Sequence, residues 1–305
     1  MKTREFLALY ESGCRSFRGI DLSGADLSSC ILIGIDLSNA KLVGTNFSRA
    51  FLTKSRLANA DLHRAQLQFA KLSESNFRHA DLTKATAQGA FWIRSNLSHI
   101  CLSGAQISHA NLRQTCLDHA NLCGANLTGA NLRNARLSEA NLAWANLSQA
   151  RLYGIDFSGA RLDAVNLEGA LLNGLNFRGL NLSGVNFSRA HMRGTNLGGA
   201  TLVAANFSEA VMQHANLSQS KLMGANFYKS QLQRADLTDA NLSRANLEGA
   251  NLSNAILPES LSPQSASLLT AMDEAPQPAL STERLPKKIP PMVRQLRLLG
   301  RAQRR

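Results

Sequence analysis

The chain has 305 residues, of which 44% are hydrophobic and only 6% aromatic, and it carries a formal net charge of +12. This charge favours anionic partners such as nucleic acid, acidic lipid or an acidic protein surface. The five cysteines form no CxxC pair, and no apolar run is long enough for a signal-peptide core or a spanning helix, so we expect a cytoplasmic protein in a reducing compartment.

The first predicted element is an N-terminal helical cap within residues 1–14. In the segment TREFLALYES (3–12), Phe6, Leu7 and Tyr10 are apolar, and Gly13 follows directly. This pattern is typical of a short amphipathic helix that ends at glycine. Because an open β coil exposes unpaired backbone groups, we expect this helix to cover the start of the next region.

Residues 15–257 form an uninterrupted five-residue repeat. From Phe17 to Leu257 every fifth residue is large and apolar, except Ala87, and a small residue usually stands two positions earlier. The order small, polar, large fits strand alternation, and the next two positions suit a turn. A helix is excluded because a five-residue step rotates the apolar position by about 140°. The pattern therefore predicts an all-β solenoid whose coils bury their leucines by stacking.

The units follow the form A(D/N)Lxx, as in HANLCGANLTGANLRNA at 119–135. This pattern resembles the pentapeptide-repeat protein family over roughly residues 15–257. The resemblance implies a right-handed, four-sided β-helix with twenty residues per coil and about twelve coils. Side-chain ladders at a spacing of twenty support that coil length. The predicted core includes Leu122, Leu127, Leu132, Leu142, Phe187, Phe207 and Phe227.

Two stretches depart from the pattern. In TAQGAFWIRS (86–95), Ala87 replaces the expected Leu and the next centre is Trp92, which indicates compensated core packing. The alternative is an exposed apolar site formed by Phe91 and Ile93. The second stretch is 155–185, where we expect local widening of the coil without associated chemistry. There the slot for a small residue holds Ile155, Val165, Leu175, Leu180 and Val185.

The C-terminal region divides into a cap and Pro-rich linker (258–291) and a basic tail (292–305). The segment SASLLTAMDE at 264–273 is the candidate cap. An amphipathic helix in the tail would oppose Met292, Val293, Leu296 and Leu299 to its arginines. Such a helix suits a membrane surface, nucleic acid or an acidic protein, and a disordered solubilising tail is the alternative.

His79, His99 and His119 occupy the same slot at a spacing of twenty, with Glu139 next in line. Their side chains would be about 4.8 Å apart at the backbone, and their ring nitrogens could converge on one metal ion. A solvent-facing polar ladder is the favoured interpretation, so we predict no metal and no cofactor. No nucleophile elbow, phosphate loop or HExxH motif is present, and a core packed with leucine leaves no obvious pocket. We therefore predict no catalytic residues and no enzymatic activity.

The positive charge of the repeats is concentrated on one of the four implied sides. The side whose units are centred on residues 32, 52, 72 and onward has a net charge of +7, against +2, −1 and 0 for the others. The predicted partner-binding residues are Arg94, Arg113, Arg133, Arg151 and Arg193 on this side, and Arg294, Arg297 and Arg301 in the tail.

Some pentapeptide-repeat proteins resemble a DNA duplex and bind type II topoisomerases such as gyrase. That mimicry demands an acidic rod, so the positive charge disfavours it here. The sequence instead predicts a non-enzymatic scaffold that docks an acidic or other anionic partner, and it disfavours sequence-specific nucleic-acid binding. The alternative is a membrane-surface or secreted bacterial effector anchored by the tail. The long array without insertions resembles cyanobacterial members of the family, so we expect a bacterial source.

Overall fold

The N-terminal cap forms a helix in the computed structural model, which describes residues 2–259. Helix α1 spans Thr3–Glu11 and buries Phe6, whose ring meets that of Phe17 edge-on at 4.7 Å between centroids. The Tyr10 hydroxyl donates a hydrogen bond to the carbonyl of Ile33 at 3.0 Å. Gly13 adopts a φ of +103° just after the helix, a conformation that glycine adopts readily. The helix therefore packs on the first coils, as the sequence predicts.

The rest of the described chain winds in coils of twenty residues. Parallel one-residue bridges join positions twenty apart, from the pair Ser16–Asp36 to the pair Asp236–Ile256. Around Leu122, for example, the Leu122 N–H donates to the carbonyl of Asn141 at 2.7 Å and the Asn121 N–H donates to that of Ile100 at 2.9 Å. Four five-residue units thus make one coil. Each pairing covers a single residue, so residues 2–259 contain no longer strand.

A tight turn follows each unit. After Leu122, the Ala125 N–H donates to the Leu122 carbonyl at 3.0 Å, and Gly124 has a φ of +63°. The same slot is left-handed in other units even where the residue is not glycine, as at His99 (φ +58°). We call this position the corner slot. Because coils stack in register, corner side chains twenty residues apart lie above one another.

The interior is filled by the central and small residues of each unit. Phe187, Phe207 and Phe227 stack almost in parallel, with centroid distances of 5.0 and 4.9 Å. Such a column fills the coil interior with close-packed apolar side chains. The residues that the spacing assigns to the core are fully buried: Leu122, Leu127, Leu132, Leu142, Phe187, Phe207 and Phe227.

Ala87 and Trp92, a small and a large residue at consecutive central positions, both lie in the core. Both side chains are fully buried, and the Trp92 ring packs edge-on against Phe77 at 6.2 Å. Phe91 and Ile93 are half-buried instead of exposed, and the Lys71 ammonium lies 3.4 Å from the Phe91 ring centroid. The exposure expected for Phe91 and Ile93 is therefore only partial, and the Lys71 side chain covers part of the Phe91 ring.

The stacking of coils is interrupted within 155–185, on two of the four sides. Among the described residues, no bridge joins Asp156 to Asn176 or Arg161 to Asn181, although every neighbouring position is bridged. The rings of Phe157 and Phe177 are 5.7 Å apart, against 5.0 Å in the regular stack. Bulky side chains in the small slot force this local widening, which the sequence predicts. We call the gap between 153–164 and 173–184 the seam.

The predicted cap at 264–273 and the basic tail at 292–305 lie outside the described residues, as does all but the start of the linker. Within residues 2–259, no helix has both the length and the hydropathy that crossing a bilayer requires.

Candidate docking face

One side of the solenoid collects the cations that the sequence assigns to partner binding. We call it the basic face, and it consists of the outer surface of the units centred on residue 32 and every twentieth residue through 252. Bridges from Phe91 to Asn111 and from Asn131 to Arg151 confirm that these units stack in one column. Its cations are Lys54, Lys71, Arg94, Arg113, Arg133, Arg151, Arg193 and Arg234, all of which are exposed except Lys71, which is half-buried. Whether they bind a partner stays a prediction.

The charge of the basic face is almost unneutralised. Its one acidic residue, Glu74, pairs with Lys54 at 3.9 Å. Within residues 2–259, none of the six arginines on the face has a carboxylate oxygen within 4.0 Å. On another side, by contrast, Arg189 contacts both Glu168 and Glu209. The basic face is therefore the part of the described surface most suited to an anionic partner.

Large apolar side chains share this face with the cations. Exposed examples on it are Ile31, Ile33, Phe51, Tyr153 and Leu171. This grouping was not predicted from the sequence, although the repeat register indicates it, since all five residues stand directly before or after a central residue of the face. A surface that combines arginines with aromatic and aliphatic side chains has the composition of protein interfaces.

Two adjoining depressions interrupt the face. The first, of about 350 Å³, is lined by Arg133, Arg151, Leu152, Tyr153, Leu171 and Asn173. We call it the Tyr153 cleft. The second, of about 540 Å³, begins at Asn173 and is lined further along by His191, Arg193, Val211, Gln213, His214, Gln233 and Arg234. The sequence predicts no obvious pocket, whereas these two depressions lie on the outer surface of the solenoid.

The predicted histidine column forms a stack. The His79 and His99 ring centroids lie 4.6 Å apart, those of His99 and His119 lie 4.7 Å apart, and His119 Nδ1 is 3.1 Å from Glu139 Oε2. Stacked rings direct their nitrogens sideways instead of toward a common point. In the part of the chain that the structure describes, no group of His, Cys, Asp or Glu side chains has metal-binding geometry. The stack is thus a polar ladder along the corner slot.

We expect His99 to titrate below its ordinary pKa of 6.5. Loss of solvent contact in the stack, and then the charges of His119 and His79, lower the pKa of His99. The pKa of His99 is lower in the folded protein than in the unfolded chain, so the unfolded chain is protonated first as pH falls. The stabilising contribution of neutral His99 is therefore lost as pH falls below 6.5. NMR titration measures this pKa, and the H79N/H119N variant should raise it. A wild-type pKa at or above the ordinary value would contradict the prediction.

Stacked twenty-residue coils with a solid apolar core define the described chain as a β-solenoid. The profile of the family described as "Pentapeptide repeats (8 copies)" matches overlapping segments that together span residues 20–260. The chain belongs to the pentapeptide-repeat family.

Several solved structures are similar to the chain. HetL, a pentapeptide repeat protein involved in heterocyst differentiation regulation from the cyanobacterium Nostoc sp. strain PCC 7120, is 31% identical, with 85% of this chain and 98% of HetL covered and a TM-score of 0.41. QnrB1, a plasmid-mediated fluoroquinolone resistance protein, is 17% identical, with 84% and 96% covered and a TM-score of 0.29. Rfr23 from the cyanobacterium Cyanothece 51142 is 23% identical, with 50% and 90% covered and a TM-score of 0.16. Among curated proteins, none matches the chain.

Proposed function

We propose that this protein is a right-handed, four-sided β-helical rod of about twelve coils that acts as a non-enzymatic scaffold and docks an acidic protein partner on its basic face. The observation that carries the proposal is the run Arg113, Arg133 and Arg151 on successive coils, without a carboxylate within 4.0 Å in residues 2–259. Guanidinium groups bind carboxylates in a bidentate manner, which makes them suited to an acidic protein surface.

The rigidity of the scaffold supports this role. Backbone hydrogen bonds hold the three arginines on adjacent coils, so the spacing of their backbone positions is set before a partner arrives. A preorganised backbone avoids part of the entropy loss of binding. We propose a binding role instead of catalysis. The five thiols are free, which is compatible with the cytoplasmic location that we propose.

The test is charge reversal on the basic face. We expect R113E/R133E/R151E to weaken binding of a fluorescent oligoglutamate peptide by about tenfold or more, since repulsion replaces attraction at the centre of the face. Binding is measured by fluorescence anisotropy at physiological ionic strength, where the Debye length is about 8 Å. Salt then screens long-range attraction, so the affinity reports on local contacts.

The matched control is R64E/K221E/R244E, which makes the same change in net charge on a different side. These three residues are exposed and make no ion pair within residues 2–259. We expect the control to bind like the wild type. An equal loss of affinity in both variants would show that net charge alone governs binding and would refute a specific docking face.

Two alternatives have distinct signatures. A gyrase-binding role predicts inhibition in a supercoiling assay at low protein concentration, and the positive charge of the face argues against it. A membrane-surface role through the tail predicts sedimentation with anionic liposomes that is lost when residues 284–305 are deleted. The arginine run on the described face favours the acidic protein over both.

A further inference from the structure

The Tyr153 cleft combines two kinds of recognition chemistry in one recess. Arg133 and Tyr153 occupy the same slot on successive coils, and the guanidinium carbon of Arg133 lies 5.9 Å from the Tyr153 ring centroid. Arg151 and Leu171 are bridged partners on neighbouring coils. The recess thus spans three successive coils, with Arg133 on the first, Arg151 and Tyr153 on the second, and Leu171 on the third.

The seam explains why a recess forms at this position. The Leu152 N–H reaches the Leu171 carbonyl at 3.1 Å, longer than the 2.8 Å of the equivalent bond from Leu172 to His191. At the next corner, no hydrogen bond in the described chain joins the Gly154 N–H to Asn173. Beyond this corner the coils separate, because Ile155 and other bulky residues occupy the small slot. The irregular stretch therefore opens the wall of the solenoid beside the arginines.

The groups in the cleft are available to a ligand. Tyr153 is 60% exposed and Leu171 is 38% exposed, although each lines a concave surface. Neither Arg133 nor Arg151 has a carboxylate within 4.0 Å in residues 2–259. A ligand that carries both a carboxylate and an apolar side chain would satisfy the guanidinium groups and cover the exposed apolar surface at once.

The concave shape favours a protein side chain over a bilayer. A cleft of about 350 Å³ accommodates one large apolar side chain, and buried aromatic anchors flanked by arginine are typical of interface hot spots. Membrane binding instead uses apolar side chains that project from the surface into the acyl region. The cations on both sides of the recess complement acidic residues next to the anchor.

We infer that the Tyr153 cleft receives an aromatic or large aliphatic anchor from an acidic segment of the protein partner, with Arg133 and Arg151 binding the adjacent carboxylates. This inference rests on the proposed docking function of the basic face and adds the chemical class of the segment that is recognised.

The test compares three fluorescent peptides on the full chain: an oligoglutamate, the same peptide with one central Glu replaced by Phe, and a serine peptide with that Phe. We expect the Glu/Phe peptide to bind about tenfold more tightly than the oligoglutamate, since aromatic burial outweighs the lost charge, and the Ser/Phe peptide to bind far more weakly. The Y153S/L171S variant should lose the gain from Phe while its affinity for oligoglutamate is unchanged.

The matched control is W144S/M223S, which removes an exposed aromatic and an exposed aliphatic side chain from another side. It should keep the full gain from Phe, and circular dichroism establishes that both variants are folded. If oligoglutamate binds but Phe adds nothing, or if Y153S/L171S keeps the gain, the inference fails and the docking function stands. If no acidic peptide binds, both fail. Binding to phosphatidylserine vesicles that depends on Tyr153 and Leu171 would assign the cleft to a membrane surface and overturn the inference.

Discussion

We expect Phe207→Ala to lower the free energy of unfolding by about 3–5 kcal/mol, one of the largest effects that a single substitution can have in this chain. Phe207 is fully buried, and its ring stacks between those of Phe187 and Phe227 at 5.0 and 4.9 Å. Removal of the ring deletes both contacts and leaves a cavity that the hydrogen-bonded coils on each side cannot collapse to fill. Urea denaturation followed by circular dichroism measures the change.

The control for this cavity is Phe207→Leu, which restores the residue found at most central positions of the repeat. We expect a loss below about 1.5 kcal/mol, because the apolar character is kept and part of the volume remains. An equal loss for both variants would mean that the stacked rings contribute through something other than the volume they fill. A loss within experimental error for Phe207→Ala would contradict the close packing of the column.

The second large effect concerns Ala87 and Trp92. Trp92→Leu should create a cavity and Ala87→Leu should overpack the core, each lowering the free energy of unfolding by about 1–3 kcal/mol. The double variant Ala87→Leu/Trp92→Leu returns both units to the common pattern. We expect it to be more stable than the sum of the single changes predicts, with a coupling of about 1–3 kcal/mol.

The indole nitrogen of Trp92 bears on the stability of the double variant. The indole nitrogen of Trp92 is buried without a hydrogen-bond partner in the described chain, so its loss removes an unsatisfied polar group. The double variant should therefore approach wild-type stability in urea denaturation. Additive effects of the two substitutions would show that the two sites pack independently, and the exchange of volume between them would have to be abandoned.

The fold could be predicted from the sequence because each unit repeats the same order of a small, a polar and a large apolar residue followed by a turn. The spacing from Phe17 to Leu257 assigns the central column, and the same spacing assigns the outward positions. The family resemblance supplied the twenty-residue coil, and the bridges between residues twenty apart confirm it. The placement of Arg113, Arg133 and Arg151 on one side follows from that register alone.

The Tyr153 cleft could not be predicted in the same way. The sequence indicated that Ile155, Leu175 and Leu180 would widen the coil. The extent of the widening depends on how far the backbone shifts and on which conformations these side chains adopt. The result is a gap on two sides beside a hydrogen-bonded third side, and only coordinates show which residues line it. Phe91 is a smaller example, because its burial depends on the position that the Lys71 side chain adopts.

The strict twenty-residue register limits how the length of this protein can evolve. A deletion of one complete coil keeps each later arginine above the earlier ones and only shortens the array. Removal of a single unit instead turns all later side chains by one side, so that the cations before and after the deletion point in different directions. Gain or loss of sequence that preserves the docking surface must therefore occur in whole coils of four units. Relatives that differ by a number of units that is not a multiple of four would divide their charge between two faces.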